Sequence, residues 1–369
     1  MAPTEDSRNN LSAAAAPTNE PTPDLRDIGR ARHLKGTLIV LCGVLFFTPD
    51  SLTIKKVRDE DGLKTVWWRM LFYTVVTGSG ILAVKARQHG CARALRVLAE
   101  NVRGMGWLGL AIACSHGLIE VLFCVSQKLT TTANVLVVLA SSPLWAALQS
   151  WVALGETLPL RTSITIVIGI LAVVYVFVGE MVLHDDGDES HAGDTANQDT
   201  ALGLILANFC SFFLAAQLVM FRFGSLKYER AEDFFLPALP CGSLLGLPIV
   251  AALGASPFNG SWDFSDFGWC LLGGGVCIPV ALAAMSIGAS YIPAPEVSLL
   301  MLIETIGGPI WVWAVIGEEP SFHTAVAGCI LIVALATHAW LGLKRDKNGQ
   351  HADGEKTVGD SLKYADEAP

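Results

Sequence analysis

Two stretches of the sequence, SSPLWAALQSWVALGE at 141–156 and IETIGGPIWVWAVIGE at 303–318, lie 162 positions apart and end in the same pattern. On this offset Trp-x-x-x-Gly-Glu recurs, and the matched residues are Trp151, Gly155, Glu156, Trp313, Gly317 and Glu318. Each copy closes one apolar run and is followed by another, which predicts a turn between two helices. The recurrence predicts that the chain is built from two related halves.

The composition is typical of a membrane protein. Of the 369 residues, 52% are hydrophobic and 16% are charged, whereas soluble domains carry about 25% charged residues. The net charge of −9 comes mostly from the acidic segment after residue 180 and from the tails, so it does not indicate a nucleic-acid partner. The nine cysteines form no CxxC and no Cys/His cluster with metal spacing. The sequence therefore predicts no metal site, no disulfide framework and no cofactor.

Ten apolar segments are long enough to cross a bilayer, which takes about 20 helical residues for a core of about 30 Å. They are roughly 36–54, 66–85, 105–126, 131–153, 161–180, 201–221, 234–254, 267–289, 294–316 and 322–343. Runs of this length without a period of two are helices rather than barrel strands. The predicted fold class is an all-α polytopic membrane protein with ten transmembrane helices.

The loop charges predict the orientation of these spans. With the N-terminus in the cytosol, nineteen Lys and Arg residues fall on the cytosolic side, five fall on the opposite side and Arg69 lies within a span. Positively charged loops stay cytosolic, so both termini are predicted to be cytosolic. The protein is expected in the plasma membrane or in an endomembrane.

An acidic linker divides the ten spans into two sets of five, so the second set must cross the membrane upside down relative to the first. Such inverted repeats are common in secondary transporters. The predicted organisation is a disordered cytosolic tail (1–35), a first five-helix repeat (36–180), an acidic non-cytosolic linker (181–200), a second five-helix repeat (201–343) and a disordered cytosolic tail (344–369).

The repeated segments resemble the EamA family of the drug/metabolite transporter superfamily. In the first half Pro143 precedes the Gly-Glu pair, as in that family, whereas the second half has Thr305 at the corresponding position and Pro309 one turn later. TPDS at 48–51 and WWRM at 67–70 are similar to the family's first and second helices. The resemblance covers about 36–343 and implies ten helices in two repeats, with a transport function.

The Gly-Glu pairs are expected to serve as structural turns of the repeat. A glycine just past a helix permits the left-handed conformation that ends it. The glutamate that follows is expected at the N-terminal end of the next helix, where the helix dipole favours an anion. Trp151 and Trp313 lie about one turn inside the interface and are expected to act as anchors or packing residues.

Six ionisable side chains lie at membrane depth, where they are costly and often mark a pathway or a binding site. They are Asp50, Arg69, His116, Glu120, Glu296 and Glu304. Asp50 ends the first span and Arg69 lies near the start of the second, so the two are expected to be close enough to pair. His116 and Glu120 share one helix face, as do Glu296 and Glu304. Glu304 is the deepest acid, so it must be protonated, partnered or in contact with water. These residues are candidates for substrate binding or proton coupling, and interhelical hydrogen bonds and a structural ion pair are the alternatives.

The expected function is secondary transport of a small polar metabolite by alternating access. The excess of buried acids favours an amine or an amino acid over a phosphorylated substrate. The alternative is a transport-inactive scaffold or sensor on the same fold. An enzyme is not expected, because the sequence has neither HExxH nor GxSxG. The expected partners are the substrate and the lipid bilayer, with a homodimer left open. The glycine runs at 273–276 and 305–309 are expected to permit close helix contact or a hinge.

Overall fold

A computed structural model describes residues 25–58, 62–104, 106–155, 160–182, 191–228, 231–254, 257–258, 262–323, 325–330, 333–334 and 337. These residues form helices and short connections, with no strand in the described ranges. Most of the two predicted tails, the centre of the predicted linker and Glu156 lie outside the described residues.

The helices follow one another with short connections. They are α1 (Leu25–Phe47), α2 (Asp50–Lys56), α3 (Leu63–His89), α4 (Cys91–Gly104), α5 (Gly106–Leu129), α6 (Thr132–Leu139), α7 (Ser142–Leu154), α8 (Leu160–Val182), α9 (His191–Lys227), α10 (Ala231–Ala252), α11 (Phe264–Leu271), α12 (Ile278–Gly288) and α13 (Ala294–Ile316). A π-helical segment, Leu272–Cys277, joins α11 to α12. The described residues between 322 and 337 are also mostly helical.

Six helical units of the described chain are long and apolar enough to cross a membrane. They are Ala31–Lys56, Gly106–Leu129, Thr132–Leu154, Gln198–Lys227, Phe264–Gly288 and Ala294–Ile316. Many apolar side chains face outward, including Leu110, Val167 and Leu171, each more than half exposed. The prediction of an all-α polytopic membrane protein is confirmed, whereas the arrangement of ten helices in two repeats stays a prediction.

Two helix boundaries differ from those predicted. Helix α1 begins at Leu25, so residues 25–35 are helical rather than part of a disordered tail. Helix α9 begins at His191, inside the segment predicted to be a linker. Hydropathy locates the part of a helix that lies in the bilayer, and a helix can extend beyond it through polar residues.

Three of the predicted spans are not continuous α-helices. The first is interrupted at Thr48–Pro49, between α1 and α2, because a proline cannot donate the next helical hydrogen bond. The fourth is interrupted at Ala140–Ser141, with Pro143 in the first turn of α7. The eighth contains the π-helical segment. The breaks are short and lie within otherwise apolar stretches, so hydropathy averaged over about 20 residues predicted single spans.

The helices pack in pairs that join the N-terminal and C-terminal parts of the chain. Helix α5 packs along α9 and α1 packs along α12, while α3 packs on α10 and α7 on α13. The interior between them is apolar, and Val40, Ile112 and Leu218 are fully buried in it. The few polar side chains in this interior therefore stand out against an apolar background.

Three consecutive glycines let the π-helical segment approach α3 closely. A Cβ on Gly273 would overlap Nη1 of Arg69 and Oγ1 of Thr53, and a Cβ on Gly274 would overlap the backbone of Arg69. The glycine run therefore serves the close helix contact that the sequence predicts. π-Helical turns inside α-helices are frequent at functional sites, and this one lies directly on the buried arginine.

We expect Gly274→Ala to destabilise the protein, because the new methyl group would meet backbone that cannot rotate away. Overpacking of this kind costs about 1–3 kcal/mol. Gly268→Ala, in the adjoining α11, is the matched control because nothing lies within 4 Å of its added Cβ, and alanine is favoured over glycine in a helix by about 1 kcal/mol. Thermal unfolding in detergent measures both variants, and equal midpoints would contradict the packing argument.

Candidate functional site

Arg69 of α3 is fully buried and forms a complete ion pair with Asp50 of α2. Its Nη2 donates to both carboxylate oxygens of Asp50, at 3.0 and 2.8 Å. Its Nη1 donates to Oγ1 of Thr53, at 2.8 Å. Both charged side chains are 0% exposed. The pair expected from the sequence is therefore present, and it joins α2 to α3 in the interior of the bundle.

Glu120 of α5 lies beside this pair but does not complete a hydrogen bond with it. Its Oε2 is 3.8 Å from Nε of Arg69, which is too long for a hydrogen bond. Both atoms are buried without a hydrogen-bond partner. Arg69 therefore faces two carboxyl groups: that of Asp50 is hydrogen-bonded to it, whereas that of Glu120 is not. Glu120 is therefore the carboxyl group that can change partner.

His116 lies one helical turn before Glu120, as their spacing predicts, and is 1% exposed. Its ring packs on the ring of Tyr73, with the ring centroids 4.9 Å apart. Its Nε2 is buried and has no hydrogen-bond partner. Tyr73 itself is 2% exposed, so both rings lie in the interior.

Glu304 occupies the middle of α13 and is 3% exposed. Its Oε1 is buried without a hydrogen-bond partner. Helix α13 packs on α2, which carries Asp50, and on α9. Glu304 therefore enters the interior from the C-terminal part of the chain. We call Asp50, Arg69, His116, Glu120 and Glu304 the central polar cluster.

Glu296 does not belong to the cluster, although it shares a helix face with Glu304 in sequence. It lies in the first turn of α13, and its Oε2 is 2.9 Å from Nε2 of His33. The two side chains are 37% and 54% exposed, respectively. The spacing of Glu296 and Glu304 predicts that they share a helix face but does not predict how deeply each is buried. Glu296 is near the end of the bundle because α13 begins only two residues before it.

Helix interruptions lie next to the cluster. Asp50 directly follows the break between α1 and α2, and Thr48 on the other side of the break accepts a hydrogen bond from Trp311 Nε1, at 3.2 Å. At the second break, Ser141 bonds to Ser211 at 2.9 Å and Ser142 to Ser298 at 2.7 Å. Broken helices of this type carry the binding sites of many transport proteins, because their freed backbone groups line a cavity.

Glu318 contacts residues of two other segments at one end of the bundle. At this end α2 and α13 end and α6 begins, and we call it the Lys55 end. Its Oε1 accepts a hydrogen bond from the backbone N–H of Thr132, at 2.7 Å. Its Oε2 pairs with Nζ of Lys55 at 3.0 Å. Lys55 also donates to the carbonyl of Thr130, at 2.9 Å. These contacts connect the ends of α2 and α13 to the start of α6.

This position corrects the expectation that Glu318 caps the helix following it. The carboxylate lies instead at the start of α6, whose first N–H groups lack helical partners and attract an anion. Gly155 and Gly317 do adopt the left-handed conformation, with φ of 66° and 82°. Trp151 and Trp313 are 60% and 55% exposed, which fits side chains that face lipid. Glu156 lies outside the described residues.

A second layer of hydrogen bonds separates the Lys55 end from the central polar cluster. Gln127 donates to Oγ of Ser51 at 3.0 Å and accepts from Oγ1 of Thr132 at 3.0 Å. Lys128 donates to the carbonyl of Val57 at 2.7 Å. Ser51 adjoins Asp50 in sequence, so this layer lies directly above the buried ion pair. Sequence patterns gave no signal for the partners Ser51 and Val57, since they lie 76 and 71 residues from Gln127 and Lys128.

The described residues contain no group of three or more His, Cys, Asp or Glu side chains arranged to hold a metal ion. The cluster instead combines one cation, three carboxyl groups and one imidazole in an apolar interior. Groups of these types can bind an opposite charge or exchange a proton.

Comparison with known proteins identifies a domain in the first half of the chain. Residues 34–178 match the EamA-like transporter family, which confirms the resemblance seen in the sequence. A comparison with curated proteins finds no match. Seventeen chains of solved structures match. One, known only as a protein in a crystal structure, is 15% identical with a TM-score of 0.59, and the match covers 85% of this chain and 98% of that chain. At this identity the likeness shows a shared fold alone.

We expect Asp50→Asn to destabilise the protein strongly, since it leaves the Arg69 charge buried without its counter-ion. Breaking one member of a buried pair costs about 3–5 kcal/mol. The double variant Asp50→Asn/Arg69→Gln removes both charges and should recover part of this loss. Thermal unfolding of the two single variants and the double variant forms a double-mutant cycle. Simple additivity of the two losses would show that the two residues do not act as a pair.

Proposed function

We propose that the chain is a multi-pass membrane transporter of the drug/metabolite transporter superfamily, in keeping with the EamA-like transporter domain at residues 34–178, and that it moves a small polar metabolite by alternating access. The proposed substrate is an amine or an amino acid that binds at the central polar cluster. The observation that carries this proposal is the pair of buried carboxyl groups, Glu120 and Glu304, whose Oε2 and Oε1 atoms lack hydrogen-bond partners in an apolar interior.

The helix pairing supports an inverted repeat of two five-helix halves, with ten spans in all. If the halves are related by a two-fold axis in the membrane plane, the contact of α5 with α9 corresponds to that of α12 with α1. Likewise, the contact of α7 with α9 corresponds to that of α13 with α1. These corresponding pairs are all present, and α3–α10 and α7–α13 link equivalent helices of the two halves. The cluster then lies at the interface of the repeats, where such transporters bind their substrates.

Proton coupling follows from the cost of burying an unpaired carboxylate. An ionised group without a partner in an apolar interior is unfavourable by several kcal/mol or more, so Glu304 must hold either a proton or a cationic group. A site that exchanges one for the other couples substrate movement to proton movement. The two occupants compete for one carboxyl group, which favours exchange over cotransport.

The Lys55 end supplies a closed gate in this proposal. The excess of Lys and Arg in alternate loops places the N-terminus in the cytosol, so the Lys55 end lies on the non-cytosolic side. The Lys55–Glu318 contact and the layer formed by Gln127 and Lys128 then separate the cluster from the outside. Opening this end requires these polar contacts to break. Lys55 and Glu318 can then regain water, because their side chains are already 16% and 22% exposed.

We expect Glu304→Gln to abolish the response of transport to a proton gradient, because glutamine has the size of glutamate but exchanges no proton. Exporter activity is measured in reconstituted vesicles with a panel of amines and amino acids, with and without the gradient. Glu100→Gln, an exposed position on α4, is the control and should behave as wild type. Intact transport with an unchanged pH dependence in Glu304→Gln would rule out its coupling role. Absence of transport by the folded wild-type protein across the panel would favour the inactive scaffold or sensor.

We expect a reducible bifunctional thiol cross-link between Lys55→Cys and Glu318→Cys, in a background without other reactive cysteines, to stop transport and its reduction to restore it, because the gate must open in each cycle. The control is Lys55→Cys alone, treated with the same reagent. Uptake into vesicles is measured before and after a reductant is added. Unimpaired transport by the fully cross-linked protein would contradict a gate at this end.

A further inference from the structure

Arg69 cannot receive a substrate carboxylate, because its donors already face groups of the protein. Nη2 is bonded to both oxygens of Asp50 and Nη1 to Thr53. Nε faces Glu120 at 3.8 Å. An arginine that recognises a carboxylate offers two parallel N–H groups to it. Here Nη2 is occupied by Asp50, and Nε, which has no hydrogen-bond partner, is faced by the Glu120 carboxyl group. The cation that sequence analysis placed within the membrane is therefore committed to the protein itself.

The packing around Arg69 leaves no space for a substrate group at the guanidinium. Its side chain is 0% exposed. The positions that a Cβ would occupy on Gly273 and Gly274 already overlap Arg69 and Thr53, so the π-helical segment covers the guanidinium at the distance of direct contact. A ligand carboxylate could reach it only by displacing both Asp50 and a helix.

The groups that remain available are acidic or neutral. Asp50 and Arg69 cancel each other's charge, whereas Glu120 and Glu304 have buried oxygen atoms without hydrogen-bond partners. His116 Nε2 is likewise buried and unpartnered. An ammonium group has three donors and a positive charge, so it matches the unpartnered carboxyl oxygen atoms. A carboxylate in the same space would be buried without a cation of its own, because Arg69 is bonded to Asp50 and covered by the π-helical segment.

We infer that the central polar cluster selects organic cations, and that amines without a carboxylate are its substrates while the corresponding zwitterionic amino acids are rejected. This inference rests on the proposed transport function and narrows its substrate class. Rejection arises from desolvation of a carboxylate that finds no partner, which is how sites discriminate against ligands of similar shape. When the ammonium group binds, the carboxylic acid of Glu120 or Glu304 releases its proton to water, and the resulting carboxylate pairs with the ammonium group.

The test compares amines with the amino acids from which they differ only by the carboxylate, namely tyramine with tyrosine and agmatine with arginine. The purified full-length protein is reconstituted in vesicles, and uptake of each labelled compound is measured together with its binding to the protein in detergent. We expect each amine to be bound and transported at least about tenfold better than its parent, as expected for the burial of an unpaired charge. Glu120→Gln should weaken amine binding, while Glu100→Gln should not.

The outcomes separate this inference from the transport proposal. Amino acids that bind and move as well as their amines would overturn cation selectivity and leave the transport proposal standing. Amine binding that is unchanged in both Glu120→Gln and Glu304→Gln would place the site elsewhere and overturn the inference. No uptake of any of the four compounds by a monodisperse wild-type protein would overturn both the inference and the proposed substrate. Preference for the amines, lost in Glu120→Gln, would support the inference.

Discussion

The burial of one positive charge, that of Arg69, constrains the rest of the interior. A guanidinium removed from water requires a bonded counter-ion, and the chain provides Asp50 at a helix break and Thr53 one turn later. It also requires space, which the glycine run of the π-helical segment provides. The arginine thereby holds α2, α3 and the π-helical segment in one arrangement. The other members of the cluster, His116, Glu120 and Glu304, each have a buried polar atom that this pair does not satisfy.

The polar interior divides into a fixed part and an exchangeable part. The Asp50–Arg69 pair is buried and bonded through both carboxylate oxygens of Asp50, and breaking one member of such a pair is costly. Glu120 and Glu304 each have a buried oxygen atom without a hydrogen-bond partner, and in the proposed mechanism a proton or a cation occupies them in turn. The contacts at the Lys55 end are intermediate, since Lys55 and Glu318 are part-exposed and can return to water. Transport by alternating access requires this combination of a rigid core, an exchangeable site and a breakable gate.

The sequence predicted local features well and partners poorly. Helix positions, the Asp50–Arg69 pair and the left-handed turns at Gly155 and Gly317 follow from hydropathy, depth and residue type. The interruption at Ala140–Ser141 did not follow, because the two serines there are too few to interrupt an apolar stretch of more than 20 residues. Nor did the partner of Glu318, which lies 186 residues away at Thr132 and depends on the three-dimensional arrangement of the helices. Periodicity placed Glu296 with Glu304, but depth in the membrane separates them.

The most direct test of this account is a distance measurement across the Lys55 end during turnover. Spin labels at Lys56→Cys and Glu319→Cys, in a background without other reactive cysteines, report the separation of α2 from the end of α13 in reconstituted protein. Alternating access predicts two distance populations whose ratio shifts when a transported amine or a proton gradient is added. A single distance that is the same under all conditions, in protein that transports, would contradict a gate at this end.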